Sequence, residues 1–162
     1  MRKLLMVAAL ALALPVQAPA GEATKASDVV ILDAWALAQH QASSRGSVYM
    51  TLETVDGQAD RLIGAATPAA EKAELRTYWL EGCFVHGNSV EAIEIAPGRQ
   101  TVLDPGGLHI MLTGLERALV EGSTIPLTLT FEQAGTVDIE VPVSARNRRA
   151  PSQDMPREAA MN

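Results

Sequence analysis

The stretch "IPLTLTFEQAGTVDIEVPV", residues 125–143, decides the fold class. In its first half Ile125, Leu127, Leu129 and Phe131 share one face of an extended chain, with Pro126, Thr128 and Thr130 on the other. In its second half Val137, Ile139, Val141 and Val143 alternate with Asp138, Glu140 and Pro142. Strand side chains point to opposite faces with a period of two, so each half reads as a strand with one buried face. "EQAG" carries turn chemistry, and the simplest connection is a hairpin. Pro126 and Pro142 have no amide hydrogen to donate, which places them at edges or strand ends.

Working outward, "VVILDAW" (29–35) and "SVYMTLE" (47–53) are rich in β-branched and aromatic residues, and "RLIGAAT" (61–67) and "AELRTYWLE" (73–81) follow. "ALAQHQASSRG" between the first two reads as a loop, residues 68–71 as a short turn, and "IAPGRQ" and "LDPGGL" as Pro-Gly turns. Many short strands with little helix predict an all-β sandwich, a single domain over residues 28–143. Trp35, Tyr49 and Trp79 are expected as its core aromatics, and Met50, alternating with Val48 and Leu52, as packing.

The ends read differently. "MRK", the apolar run "LLMVAALALAL" and small residues at Ala18 and Ala20 predict a signal peptide over residues 1–20. The run is too short to span a bilayer, and no later stretch is apolar enough. Residues 21–27 are a polar lead-in. From Ser144 the sequence "SARNRRAPSQDMPREAAMN" has no periodicity and is expected to be a disordered tail, 144–162. Removing Arg2 and Lys3 leaves 11 basic residues of 13 against 19 acidic ones, a net charge near −8. That balance argues against nucleic acid and anionic lipid as partners. Cys83 is the only cysteine, so no disulfide can staple the domain, and the thiol is expected buried and inert.

Chemistry concentrates in "GGLHIMLTGL", residues 106–115. Leu108, Ile110 and Leu112 form the core-facing set, which turns His109 and Met111 to the other face. Residues i and i+2 of a strand lie about 7 Å apart at Cα, so the two side chains can converge on one small object. Imidazole with thioether suits a soft cation such as monovalent copper and offers little to magnesium, calcium or manganese. The Asp-Pro-Gly-Gly turn before His109 puts the pair near a strand end, where it is expected to be reachable. His40 reads as solvated. No paired carboxylates, Ser-His-Asp set, closed zinc arrangement or Gly-rich phosphate loop stands at interpretable spacing, so the sequence does not read as an enzyme.

"VYMTLE" (48–53), "DRLIGAATPAAEKAEL" (60–75), "IEIAPG" (93–98) and "LDPGGLHIMLTGLERALVEGSTIPLTLTFEQAGTVDIEVPV" (103–143) stand in an order that resembles the PCu(A)C family of periplasmic copper chaperones. The resemblance implies a cupredoxin-like β-sandwich carrying Cu(I) toward cytochrome c oxidase, often alongside Sco-type thiol proteins. It also implies four donors: a His, a Met some ten residues on, and the His and Met of a His-x-Met strand. His109 and Met111 match the last two. Arg76 stands after "AEL" where the first His is expected, and neither His86 nor Gly87 supplies the middle Met. A guanidinium adds repulsion to a bound cation and no lone pair. His86 could complete a His-His-Met site with His109 and Met111 if the neighbouring hairpin brings it near. Arg76 and Tyr78 share a strand face and could line the site, the duller account being a salt bridge from Arg76 to Glu74. Two other functions stay open, a metal-independent binding or scaffold module and a thiol-based role for Cys83.

Overall fold

The computed structural model describes residues 24–26, 28–39, 44–55 and 57–145. The expected signal peptide, most of the lead-in, His40 and the tail beyond Ala145 lie outside the described residues. Among the described residues every element is a strand: β1 Thr24–Ala26, β2 Val29–Leu37, β3 Arg45–Thr54, β4 Asp60–Ala66, β5 Ala70–Glu81, β6 Phe84–Ser89, β7 Ile93–Ile95, β8 Thr101–Leu103, β9 Leu108–Leu115, β10 Thr124–Phe131 and β11 Gly135–Ser144. The expected loop after Trp35 is shorter than read, because β2 runs on to Leu37 and β3 begins at Arg45.

Hydrogen bonding runs in the order β6-β5-β9-β3-β2-β11-β10-β4-β7, with β1 added to β2 and β8 to β3. Every pairing is antiparallel except β11 with β2, where Val143 meets Ala36 and Ser144 meets Leu37. That short parallel contact joins the two layers of the sandwich, β6-β5-β9-β3-β2 and β11-β10-β4-β7. The core lies between them. Val48, Met50, Leu52, Leu75, Ile110 and Leu112 come from the first layer, and Leu62, Ile95, Leu127, Leu129, Phe131 and Val141 from the second. Fully burying a side chain of this kind stabilises the fold by about 1.5–3 kcal/mol.

The 125–143 hairpin forms as its alternation predicts, with Ile125 opposite Val141 and Phe131 opposite Gly135. Gly135 takes a φ of +77°, the left-handed region a tight turn needs. The turn is pinned from outside by Asp60, a buried carboxylate at the start of β4. Its oxygens accept from the backbone amides of Gln133 and Ala134, each at 3.0 Å, and of Arg61 at 2.7 Å.

One irregularity redirects the outer face of the first layer. Between Leu32 and Trp35 strand β2 carries one more residue than β3, so Leu32 faces Thr51 while Trp35 faces Tyr49. The extra residue is a β-bulge, with Asp33 at a φ of +48°. A strict period of two would put Trp35 with Val29 and Ile31 in the core. The bulge turns it, with Tyr49, to the opposite face, where both are buried. Replacing Asp60 with Ala leaves two turn amides without their acceptor, and urea unfolding should show a loss of about 1–2 kcal/mol.

Candidate functional site

Strand β9 is buried on both faces from His109 to Leu112. Ile110 and Leu112 enter the core, and His109 and Met111 turn to the outer face as the alternation requires. The expectation that they lie open there is overturned, since His109 is 1% exposed and Met111 9%. Neighbouring strands supply the cover. Tyr78 of β5 sets its ring centroid 4.4 Å from that of His109, and Tyr49 of β3 lies 6.3 Å away on a different strand. Trp35 packs on Tyr49 at 4.7 Å, brought there by the bulge.

The His109 ring has a defined tautomer. Its Nδ1 lies 3.0 Å from the carbonyl oxygen of Gly107, and a carbonyl only accepts, so Nδ1–H donates. The lone pair of the neutral ring therefore sits on Nε2, which is buried and has no hydrogen-bond partner. Burial pushes the imidazole below its ordinary pKa, the Gly107 bond works against that, and the charge of Arg76 lowers it further. At neutral pH the ring is uncharged and its lone pair is uncommitted.

Arg76 is the cross-strand partner of His109 on β5. Its Nη1 lies 3.9 Å from the Met111 sulfur and its Nη2 3.5 Å from the Gly87 carbonyl oxygen, while Nε is buried without a partner. The salt bridge to Glu74 does not form. Glu74 instead accepts from Lys72 Nζ at 2.7 Å, which holds its carboxyl below the usual range. Among the described residues no carboxylate pairs with Arg76.

Gly87 of β6 is the cross-strand partner of Tyr78, and a Cβ at Gly87 would collide with the Tyr78 ring. Where the resemblance implies a Met near this point, an aromatic ring fills the space.

The structure does not bring His86 to the pair. His86 faces Trp79 across the β5–β6 ladder, one residue out of phase with Gly87, Tyr78 and Arg76, so it projects from the opposite face. Its ring stacks on Trp79 at 5.4 Å, and its Nε2 lies 3.5 Å from Glu81. The three-donor grouping of His86, His109 and Met111 is therefore not formed. Two further expectations are corrected on the same hairpin. Trp79 is 41% exposed, outside the core, and Cys83 is exposed in the β5–β6 turn. Both sit where the hairpin runs beyond the facing layer, and Phe84 beside them is 73% exposed. Among the described residues no three His, Cys, Asp or Glu side chains are grouped to hold a metal, so the only soft-donor chemistry assembled at this site is the His109–Met111 pair.

The sequence matches the family described as "Putative lipoprotein LpqE-like" over residues 29–143. The chain belongs to the LpqE-like family. A curated relative, "Putative lipoprotein Lxx21020" of Leifsonia xyli subsp. xyli, is 35% identical over 83 residues. That match takes in 51% of this chain, which spans about half the relative's length, 50%. Among solved structures, the "Copper-bound PCuAC domain from PmoF2" aligns with a TM-score of 0.65 at 24% identity, over 77% of this chain and 99% of that one. At that identity it speaks for the fold alone. "Solution structure of CuI-DR1885 from Deinococcus Radiodurans" aligns with a TM-score of 0.60 at 28% identity, over 77% of this chain and 82% of that one. These likenesses show the LpqE-like chain to have the cupredoxin-like β-sandwich fold of PCuAC domains.

The sequence places Arg76 and Tyr78 on one strand face beside the pair, and only the fold shows that Tyr78 covers it. The signal was there in Gly87, since a glycine inside a strand marks close approach by another group. No pattern announced the bulge that recruits Trp35.

Two outcomes follow for the LpqE-like domain. Because the folded state resists protonating His109 while the unfolded chain takes up that proton below about pH 6.5, stability is full above that pH and falls as pH drops below it. Urea unfolding from pH 7.5 to 5 should show this slope, at most about 1.4 kcal/mol per pH unit, and His109→Gln should flatten it. Gly87→Ala should displace Tyr78, raising the exposure of His109 to histidine-specific modification with diethyl pyrocarbonate.

Proposed function

We propose that this LpqE-like chain is an exported, periplasmic copper-handling protein of PCuAC type, holding Cu(I) as cargo on a reduced donor pair, His109 Nε2 and Met111 Sδ. The observation that carries the reading is the buried, uncommitted lone pair of His109 beside a thioether on the same strand face. A neutral imidazole nitrogen and a thioether sulfur are a soft donor set, matched to monovalent copper and poorly matched to hard divalent ions. The Cu(I) named for the Deinococcus radiodurans structure supports the same cargo.

The residues fit two donors, not four. Arg76 supplies no lone pair, Gly87 has no side chain, and His86 stands on the other face. Such a site suits a carrier that releases its ion more readily than a closed four-donor site. Entry requires the Arg76 side chain to move off Met111, and its contacts at 3.9 and 3.5 Å are long. In this reading residues 1–20 direct export and are removed. Delivery is toward cytochrome c oxidase assembly, with Sco-type proteins as candidate partners, and the chain is a carrier rather than an enzyme.

A second reading is favoured by one observation, the seating of the Arg76 guanidinium against the Met111 sulfur with His109 sealed beneath the tyrosines. In that reading the domain is a metal-independent binding or scaffold module, and a pull-down would recover the same partner with and without copper.

Titration of the processed protein with Cu(I) against a chromophoric chelator separates the two. Wild type should retain Cu(I), and His109→Ala and Met111→Ala should each weaken retention about tenfold or more, a loss of at least about 1.4 kcal/mol. Equally poor retention by wild type and the double variant would remove the copper assignment.

A further inference from the structure

The His109–Met111 site contains a charge that no contact ion pair among the described residues balances. Arg76 is always protonated, its side chain is partly withdrawn from water, and it has no carboxylate partner among the described residues. Glu74, on the same strand face, is hydrogen-bonded by Lys72 and meets the Arg76 charge only through space, without a contact. The guanidinium rests instead on a sulfur and a backbone carbonyl, and its Nε–H is buried with no acceptor. A buried donor left without an acceptor is costly, and one on a charged group more so. Beside it, His109 Nε2 is a buried acceptor left without a donor. These two orphaned groups belong to cross-strand partners.

A bare monovalent cation satisfies only half of this arrangement. It takes the His109 lone pair and the Met111 sulfur but meets the guanidinium as a like charge. A bare anion satisfies the other half, accepting from Arg76 Nε–H, and meets the His109 lone pair as a repulsion. A Cu(I) ion that carries a soft monovalent anion, a halide or a thiolate, satisfies both. The ion and its co-ligand sum to zero charge, the two protein donors complete the metal's ligand set, and the anion accepts a charge-assisted hydrogen bond from Arg76.

Resting on the copper reading above, we propose that Arg76 makes the site selective for Cu(I) bearing a soft anionic co-ligand over the bare ion. Arg76 then acts as the specificity residue, the place where the anion is read. No bond within the protein is made or broken. The co-ligand arrives with the ion or is bound after it, and leaves with it.

The test is Cu(I) retention against the same chelator at constant ionic strength, with perchlorate replaced stepwise by chloride and, in a separate arm, with N-acetylcysteinamide as the thiolate source. Wild type should gain about tenfold in retention with the co-ligand, the worth of one charge-assisted hydrogen bond. Arg76→Met should bind the bare ion more tightly than wild type and lose the gain. Arg76→Lys, which keeps the charge without the Nε–H, serves as the second variant and should retain only part of the gain. Gain in one arm alone identifies the anion as halide or thiolate. Retention by wild type that ignores both anions, or an equal gain in Arg76→Met, overturns the role of Arg76 while leaving copper binding intact. Absence of retained Cu(I) in wild type under every condition overturns the copper reading itself, and this inference with it.

Discussion

The antiparallel register that sets Arg76 opposite His109 governs the site. A cationic side chain is held directly across from a neutral imidazole, and on its other side the ladder sets it against Ser89, which carries no charge to pair with it. This pairing sets the guanidinium against Met111, adds to the burial that already depresses the basicity of His109, and leaves two polar atoms unmatched. Shifting β5 by one residue would place Leu75 and Thr77 on this face and send Arg76 into the core. The hydrophobic demand for Leu75 in the core is therefore what commits Arg76 to the site.

A second constraint is the local thickness of the outer face. A sandwich ordinarily leaves that face wet, yet here Trp35, Tyr49 and Tyr78 build a small aromatic cover over His109. The bulge at Asp33 turns Trp35 outward, and the missing side chain at Gly87 makes room for Tyr78. Both are backbone features, and both act by re-aiming a large ring. Their joint effect is a packed, low-polarity setting in which a lone pair, a sulfur and a charge lie together with little water to screen them.

The β5–β6 hairpin divides its residues by function through strand alternation. Arg76, Tyr78 and Gly87 fall on the side of the His109–Met111 pair. Trp79 and His86 fall on the other and stack on each other near the exposed tip. Two histidines that look equivalent along the chain thus have opposite environments. One is sealed and neutral, and the other is half exposed beside a carboxylate.

Alternating apolar residues in 125–143 and 106–115 were sufficient to establish the β-sandwich, the core membership of Ile110, Leu112, Leu129 and Phe131, and the pairing of His109 with Met111 on one face. Period-two geometry is local, so the chain states it directly. The chemical softness of that pair is likewise a property of its atoms. Tertiary structure alone decided whether the pair is open or sealed, that His86 stays away from it, and where the charge of Arg76 goes. Those outcomes depend on inter-strand register, on one extra residue in β2, and on which neighbouring ring has space to lie down. None of these is written in the spacing of the residues they control.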